Sequence, residues 1–270
     1  MDPLVSAAQA SGVTTLTLDS PANRNALSAA LVGELRAALA AAGKDPAVRA
    51  VVLTHTGNTF CAGADLKSPC DPEDFVALMR EVVELPKPVV ARVTGHVRAG
   101  GLGLLGSCDI AVAGPGATFA FTETHLGLAP AVISVPLLCR LDPRAAARYF
   151  LTAEPFGPAE AARIGLLTLS ADADEAADEA ADAPATDSGE IPASPANPVD
   201  LALAPVLDGL RKASPQGLAE TKKLVTAGVR AAFDRDAARL TALSAALFAS
   251  DEAREGITAR FERRSPSWVS

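Results

Sequence analysis

Two stretches of small residues, Phe60-Cys-Ala-Gly-Ala-Asp65 and Gly95-His-Val-Arg-Ala-Gly-Gly-Leu-Gly103, carry most of the information in this chain. Small residues allow the backbone to approach a ligand closely. A glycine-rich turn that opens a helix also directs free N–H groups at a negative charge. We therefore expect N–H groups from the two stretches to converge on one oxygen atom, an arrangement that stabilises an oxyanion.

Strand and helix patterns alternate around these stretches. Apolar and β-branched runs predict strands at 13–18, 48–54, 89–93, 109–113 and 118–121. Ser28 is a helix N-cap, because Leu31, Leu35 and Leu39 follow it at helical spacing. Further helices are predicted at 71–85, from 100 onward, and near 134–141, 143–151 and 158–164. The alternation of strands with longer helices predicts an α/β fold.

An acidic segment, residues 171–199, interrupts this pattern. Its eight Asp and Glu residues are accompanied by no Lys or Arg, and the rest is mostly Ala, Pro and Ser. Such a composition, without apolar periodicity, is typical of a flexible insertion. The prediction divides the chain into a core at 1–170, the insertion at 171–199 and a helical C-terminal domain at 200–270. A mobile lid and a tail that keeps an oligomer in solution are both open as roles for the insertion.

The C-terminal region is expected to form amphipathic helices. Apolar residues recur there at helical spacing, at Leu224, Val225, Val229, Phe233, Leu240, Leu243, Leu247 and Phe248. The tail from Phe261 to Val269 ends in apolar groups that we expect to be exposed, which favours contacts between subunits.

The charge distribution argues against several classes of protein. The formal net charge is −8, and without the acidic insertion the chain carries 24 acidic and 24 basic residues. A nucleic-acid-binding protein is expected to carry a basic face, and no basic cluster is present. We also find no signal peptide, no run long enough to span a membrane and no Cys or His at metal-ligand spacing. A cytoplasmic protein with reduced cysteines is the expectation.

A G-x-G-x-x-G match at Gly101 to Gly106 raises the alternative of a dinucleotide-dependent oxidoreductase. Glu123 even lies about 20 residues further on, where a ribose-binding acid is expected. In that motif, however, the strand leads directly into the first glycine. Here the predicted strand ends at Val93, and residues 94–100 intervene, so the sequence disfavours a dinucleotide site.

The chain resembles the enoyl-CoA hydratase/isomerase (crotonase) family in several separate motifs that occur in the family's order. These motifs are Asp19-Ser-Pro-Ala-Asn-Arg-Asn-Ala-Leu27, Val51-Val-Leu-Thr54, Asn58 to Leu66, Lys87-Pro-Val-Val-Ala91, Gly95 to Ile110, and Phe119 to Gly127. The resemblance implies a spiral of ββα units with a C-terminal helical oligomerisation domain, assembled as a homotrimer or a dimer of trimers. It implies an acyl-CoA thioester as the ligand. Coenzyme A is then part of the substrate, and no metal or other cofactor is needed.

The resemblance also assigns roles to individual residues. It places the two oxyanion-hole N–H groups on Ala62 and Gly100. It implies that one further group of residues lies along the CoA arm: Asn23, Arg24, Ala26, Ala64, Asp65 and Leu66.

Glu123 matches one of the two catalytic glutamates that hydratases of the family commonly use, whereas Gly103 stands where the other would be. One carboxylate can still take a proton from water and then return it to C2. The expected activity is therefore enoyl-CoA hydration with a single catalytic glutamate, Glu123. A double-bond isomerase that uses Glu123 alone, favoured by a dry apolar pocket near Gly103, and a non-catalytic acyl-CoA-binding protein are the alternatives.

Three further residues near these motifs have less specific predictions. Gly103 is expected to leave extra room in the pocket for a larger acyl group or an ordered water. Arg98 would bind a substrate carboxylate if it faces the pocket, but a surface or subunit contact is favoured. His96 is expected to be a structural hydrogen-bonding residue.

Overall fold

The computed structural model describes residues 3–171 and 197–269 and contains two β-sheets. The larger sheet has the strand order β1 (Val5–Ala10), β2 (Val13–Leu18), β3 (Ala50–His55), β5 (Val89–Val93), β7 (Ile110–Ala113) and β9 (Leu169–Ser170). The smaller sheet has the order β4 (Thr59–Cys61), β6 (His96–Arg98) and β8 (Phe119–Ala120). The pair β1–β2 is antiparallel, and the remaining strand pairs of both sheets are parallel.

The helices follow the strands in a repeating order. In the described residues they are α1 (Ala29–Lys44), α2 (Pro72–Glu84), α3 (Gly100–Ser107), α4 (Ser134–Leu137), α5 (Pro143–Thr152), α6 (Pro158–Arg163), α7 (Pro198–Lys212), α8 (Pro215–Val225), α9 (Ala227–Phe248) and α10 (Asp251–Glu262). Three times a strand of the larger sheet is followed by a strand of the smaller sheet and then by a helix: β3–β4–α2, β5–β6–α3 and, after a 3₁₀ turn, β7–β8–α4. This order is the predicted ββα spiral.

Four strands were not predicted, and each lacks a sequence signal: β1, β4, β6 and β9, the last of which has only two residues. β1 is Ala-rich and almost entirely exposed, yet all six of its residues pair with β2 through the tight turn at Ser11 and Gly12. β4 and β6 have three residues each, too few for an alternating pattern. Because β6 ends at Arg98, a strand does lead almost directly into the glycine-rich helix α3, and the sequence-based objection to a dinucleotide site is wrong on this point.

The three glycines of the G-x-G-x-x-G match instead pack closely against other parts of the protein. A Cβ atom on Gly101 would lie 2.7 Å from the carbonyl oxygen of Cys61, and one on Gly106 would lie 2.6 Å from Leu137. Gly103 is equally crowded. The motif therefore allows α3 to pack closely against its neighbours, which leaves its glycines no surface for a pyrophosphate.

Helix α7 begins at Pro198, so the predicted boundary of the acidic segment at residue 199 is two residues too late. Val199 and Leu203 are buried with Val90 and Val112 against the larger sheet, which gives this face of the sheet its own apolar cluster. The predicted helical domain from 200 onward therefore begins with a helix that completes the core. Residues 172–196, which include nearly all of the predicted insertion, lie outside the described residues.

The C-terminal helices are present, but their buried face differs in part from the predicted one. Val229 and Phe233 are buried, as helical spacing predicts. Leu224 and Val225 are 77 % and 72 % exposed, whereas the neighbouring Lys222 is 4 % exposed. Leu224 and Val225 therefore do not pack in this chain's own core, because α8 turns Lys222 inward towards Asp109.

Gly33 offers a direct test of helix propensity in this fold. It lies in the interior of α1, is exposed, and has no atom within 4 Å of the position that a Cβ would take. Gly33→Ala should therefore raise the free energy of unfolding by about 1 kcal/mol, because Ala loses less conformational entropy in a helix. Urea unfolding followed by circular dichroism measures the change, and an unchanged or lower midpoint would contradict it.

Candidate active site

A cleft of about 1180 Å³ lies at one side of the smaller sheet and is bordered by the C-terminal helices α9 and α10. All of the residues predicted from the sequence to form the site line this cleft: Asn23, Arg24, Ala26, Ala62, Ala64, Asp65, Leu66, Gly100 and Glu123. They come from four separate segments of the chain, and the fold brings these segments together around one space.

The turn after β2 forms one wall of the cleft, and a buried asparagine holds its shape. Arg24 and Asn25 adopt left-handed backbone conformations, with φ of 59° and 53°. The Asn25 side chain is fully buried; it donates hydrogen bonds to the carbonyls of Thr56 and Thr59 and accepts one from the N–H of Ser20. This anchoring presents the neighbouring Arg24 at the cleft. The sequence motif contained Asn25 but gave no sign of its anchoring role.

The N–H group of Ala62 is not free to bind a ligand. It donates a 3.1 Å hydrogen bond to the carbonyl oxygen of Arg24, which joins the turn after β2 to the end of β4. The placement of an oxyanion-hole donor on Ala62 is therefore wrong. A backbone N–H that is already paired within the protein would have to break that bond to bind a substrate oxygen.

Two residues further on, Ala64 lies in the same turn and lines the cleft. Its N–H donates no hydrogen bond within the part of the chain that the structure describes, whereas its neighbour Asp65 donates to Leu27. The N–H of Gly100, the first residue of α3, is likewise without an acceptor there, as expected at a helix N-terminus. Gly63 joins the two segments, since a Cβ on it would lie 3.2 Å from the Gly100 nitrogen.

Glu123 is the carboxylic acid of the cleft whose environment is most unusual. It opens a 3₁₀ turn, Glu123–Leu126, just after β8. Its Oε2 atom is buried and has no hydrogen-bond partner among the described residues. Burial raises the pKa of Glu123 to about 7, a change that a hydrogen bond from its own backbone N–H opposes. A carboxyl group that titrates near neutral pH can both accept and donate a proton during a reaction.

The space beside Gly103 is filled, in contrast to the expected extra room. A Cβ on Gly103 would lie 2.5 Å from Cγ2 of Ile133 and 2.9 Å from the sulfur of Met79. Gly103 itself does not line the cleft, whereas Ile133 does. Where a second glutamate would stand, the chain therefore has an apolar wall, and the sequence did not show that Ile133 supplies it.

Arg98 is half-buried and lines the cleft, rather than lying free on the surface. Its guanidinium donates hydrogen bonds to the carbonyls of Val97 and Thr118 and to the Thr118 hydroxyl. That hydroxyl also contacts Nδ1 of His96 at 2.9 Å. Burial lowers the pKa of Arg98. The network ties β6 to the residue before β8, which fits the structural role expected for His96.

The described residues, 3–171 and 197–269, contain no group of three or more His, Cys, Asp or Glu side chains arranged to hold a metal ion. Within the same ranges, every helix is too short or too polar to cross a lipid bilayer.

Comparison with known proteins places this arrangement in a family. The sequence model of the enoyl-CoA hydratase/isomerase family matches residues 8–186, which is most of the chain. The chain belongs to the enoyl-CoA hydratase/isomerase family. The resemblance in the short motifs is thereby confirmed.

Individual relatives extend the match over nearly the whole length. The crystal structure of an enoyl-CoA hydratase from Mycobacterium avium is 48 % identical, covers both chains completely and has a TM-score of 0.85. Carnitinyl-CoA dehydratase from Proteus mirabilis is 30 % identical over 95 % of this chain and 94 % of its own length. Mevalonyl-coenzyme A hydratase from Aspergillus fumigatus is 29 % identical over 95 % of this chain and 91 % of its own. The crotonase fold of the structural relatives confirms the predicted fold class.

Proposed function

We propose that this protein is an enoyl-CoA hydratase that adds water across the 2,3 double bond of a 2-enoyl-CoA with one catalytic glutamate. The observation that carries the proposal is Glu123, a carboxyl group in the cleft with a buried, unpaired oxygen and a pKa of about 7. The free N–H groups of Ala64 and Gly100, and the relatives named as hydratases and a dehydratase, support it.

In the proposed reaction, the thioester oxygen accepts hydrogen bonds from the N–H groups of Ala64 and Gly100. Ionised Glu123 takes a proton from water while the water oxygen bonds to C3, and the C2–C3 π electrons move into a thioester enolate. The two N–H groups stabilise the enolate oxygen, and one such donor contributes about 3–4 kcal/mol to a transition state. Glu123 then returns its proton to C2, so both parts of the water come from one face. The reaction is redox-neutral and needs no cofactor beyond the CoA of its substrate.

Coenzyme A is proposed to run from this pair of N–H groups along the wall formed by the turn after β2 and the segment after β4. Asn23 and Asp65 lie together there, with 3.5 Å between the Asn23 amide nitrogen and a carboxylate oxygen of Asp65. Arg24, Ala26 and Leu66 line the same side of the cleft. An arginine at this place suits the phosphate groups of CoA.

A double-bond isomerase is the second candidate, and the apolar wall made by Ile133 and Met79 beside Gly103 favours it. An isomerase moves a proton between C4 and C2 with one carboxyl group and needs no site for water.

The deciding experiment supplies the protein separately with crotonyl-CoA and with a 3-enoyl-CoA and identifies the products. Conversion of crotonyl-CoA to 3-hydroxybutyryl-CoA supports the hydratase. Conversion of the 3-enoyl to the 2-enoyl thioester alone supports the isomerase. Binding without either reaction would leave an acyl-CoA-binding protein.

The pKa of Glu123 gives the expected pH dependence of the reaction. Glu123 must be ionised to take the proton from water, and protonation below its pKa of about 7 removes this base. We expect kcat/KM to be level above that pH and to fall about tenfold per pH unit below it, since the free enzyme is then protonated. Initial rates of crotonyl-CoA hydration from pH 5 to 9 measure the profile. A profile that stays flat down to pH 5 would show that the base titrates near its ordinary pKa.

We also propose a homotrimer or a dimer of trimers. Several large apolar side chains are exposed on the single chain, and most lie in or after α8: Leu138, Leu151, Leu224, Val225, Phe248, Phe261, Trp268 and Val269. Such surfaces usually mark interfaces. Sedimentation equilibrium gives the mass of the assembly, and a monomer at micromolar concentration would contradict the proposal.

A further inference from the structure

The last helix of the protein, α10, packs directly on the turn that carries Glu123. Two glycines make this possible, one on each side. A Cβ on Gly256 of α10 would lie 2.6 Å from the carbonyl carbon and oxygen of Leu126, and one on Gly127 would lie 2.6 Å from the carbonyl carbon of Glu252. The backbone of α10 therefore packs directly on the backbone of the turn at both glycines. Helices approach so closely only where a side chain is absent.

The face of α10 that packs on the turn is buried. Ala253 and Ala259 of α10 are 0 % and 1 % exposed, and Gly256 lies between them on the same face. On the other side, Gly127 closes the 3₁₀ turn in a left-handed conformation, with its N–H directed at the carbonyls of Glu123 and Thr124. The turn is thus held between its own cap and the helix, and a shift of α10 must move it.

The same helix also reaches the ligand cleft with its C-terminal end. Arg260, Phe261 and Arg263 line the cleft, together with Phe248 at the end of α9. α10 therefore contacts the turn of the proposed catalytic acid at its middle and the space for the ligand at its end. The mechanism derived above uses neither α10 nor either glycine.

We propose that α10 positions Glu123, and that Gly256 is a positioning residue for the reaction. The proposal rests on the function proposed for Glu123. Gly256 allows the helix to lie flush on residues 123–127, and this close packing fixes the carboxyl group and keeps water from its buried oxygen. A side chain at position 256 separates the two segments, admits water and displaces the carboxyl group from the substrate.

Gly256→Ala tests the proposal, with Gly33→Ala as the matched control. Both variants add one methyl group to a helix interior, but at Gly33 the methyl group meets no atom within 4 Å. The carboxyl pKa is read by NMR of the protein labelled with ¹³C at glutamate Cδ, and the Glu123 signal is the one that Glu123→Gln removes. We expect Gly256→Ala to lower the Glu123 pKa by at least one unit towards the ordinary value of about 4.3, and to lower kcat at least tenfold. Gly33→Ala should change neither.

A second variant loosens the contact without a clash, so that the test survives if Gly256→Ala does not fold. Ala253→Gly removes a buried methyl group from α10 beside Gly127, and Ala37→Gly on the exposed side of α1 is its control. Ala253→Gly should lower the Glu123 pKa and kcat in the same direction, whereas Ala37→Gly should lower only the unfolding midpoint. The proposal is overturned if the folded α10 variants keep the wild-type pKa and kcat. If the Glu123→Gln variant is active, the function proposed for Glu123 is wrong. The NMR titration of the α10 variants still tests whether α10 controls the pKa of Glu123.

Discussion

Glu123→Gln is expected to lower kcat/KM for the hydration of crotonyl-CoA by about 10²–10⁴-fold, the usual contribution of a general acid–base group. The amide is close to the carboxyl group in size, so the cleft keeps its shape, but it cannot accept the proton of water. Since the wall beside Gly103 is apolar, no carboxyl group there can take over the role. CoA thioester binding should stay within a few-fold of wild type, because the proposed thioester contacts come from backbone N–H groups.

The loss is measured as the slower disappearance of the enoyl-thioester absorbance, with binding followed by calorimetry using butyryl-CoA, the saturated analogue. Glu220→Gln is the matched control, since Glu220 lies on α8 with its side chain 60 % exposed. It should keep wild-type kinetics. If Glu123→Gln hydrates crotonyl-CoA as fast as wild type, Glu123 is not the base and the proposed mechanism fails.

Lys222→Met is expected to lower the free energy of unfolding by about 3–5 kcal/mol, because it leaves a buried carboxylate without its partner. The Lys222 ammonium lies 2.7 Å from Asp109 and donates hydrogen bonds to the carbonyls of Val82 and Lys87. The side chains of Lys222 and Asp109 are only 3 % and 10 % exposed. Burial lowers the pKa of Lys222, and the nearby Asp109 opposes this change.

Urea unfolding followed by tryptophan fluorescence and circular dichroism measures this loss. Lys223→Met is the matched control, because the neighbouring Lys223 has a 54 % exposed side chain and should change stability by less than about 0.5 kcal/mol. Adding Asp109→Asn to Lys222→Met removes the unpaired charge while the new side-chain oxygen can still accept from the Val89 N–H. The double variant should therefore be more stable than Lys222→Met alone. Equal stability of Lys222→Met and Lys223→Met would show that the buried pair contributes nothing.

The same lysine shows where sequence patterns stop predicting the fold. Helices with caps and long apolar stripes were predictable: Ser28 accepts a hydrogen bond from Leu31 at the start of α1, and Asp71 accepts one from Glu73 at the start of α2. In α8, the apolar Leu224 and Val225 are exposed and the charged Lys222 is buried, which local apolar periodicity does not predict. The orientation of that helix depends on Asp109, more than one hundred residues earlier in the chain, and no local window contains both residues.

The site was predictable to the level of segments, and less so to the level of atoms. Ala62 and Ala64 have the same side chain in one short motif, so composition cannot tell which N–H is free. The difference is made by the carbonyl of Arg24, which arrives from a distant turn and pairs with Ala62. The apolar wall beside Gly103 also depends on a distant segment of the chain. Ile133, thirty residues further on, fills the space beside Gly103.

The close fit of Gly103 against Ile133 also restricts how this lineage can change its chemistry. A second carboxylate at position 103 would collide with Ile133, whose Cγ2 lies 2.5 Å from the place of the first added carbon. One route to a carboxylate at position 103 first shortens residue 133, and an Ile133→Ala intermediate carries a cavity that costs about 2–5 kcal/mol. The reverse order passes through a clash in the core. Both single-step routes therefore pass through a less stable intermediate, so a carboxylate at position 103 of this chain requires two coupled substitutions.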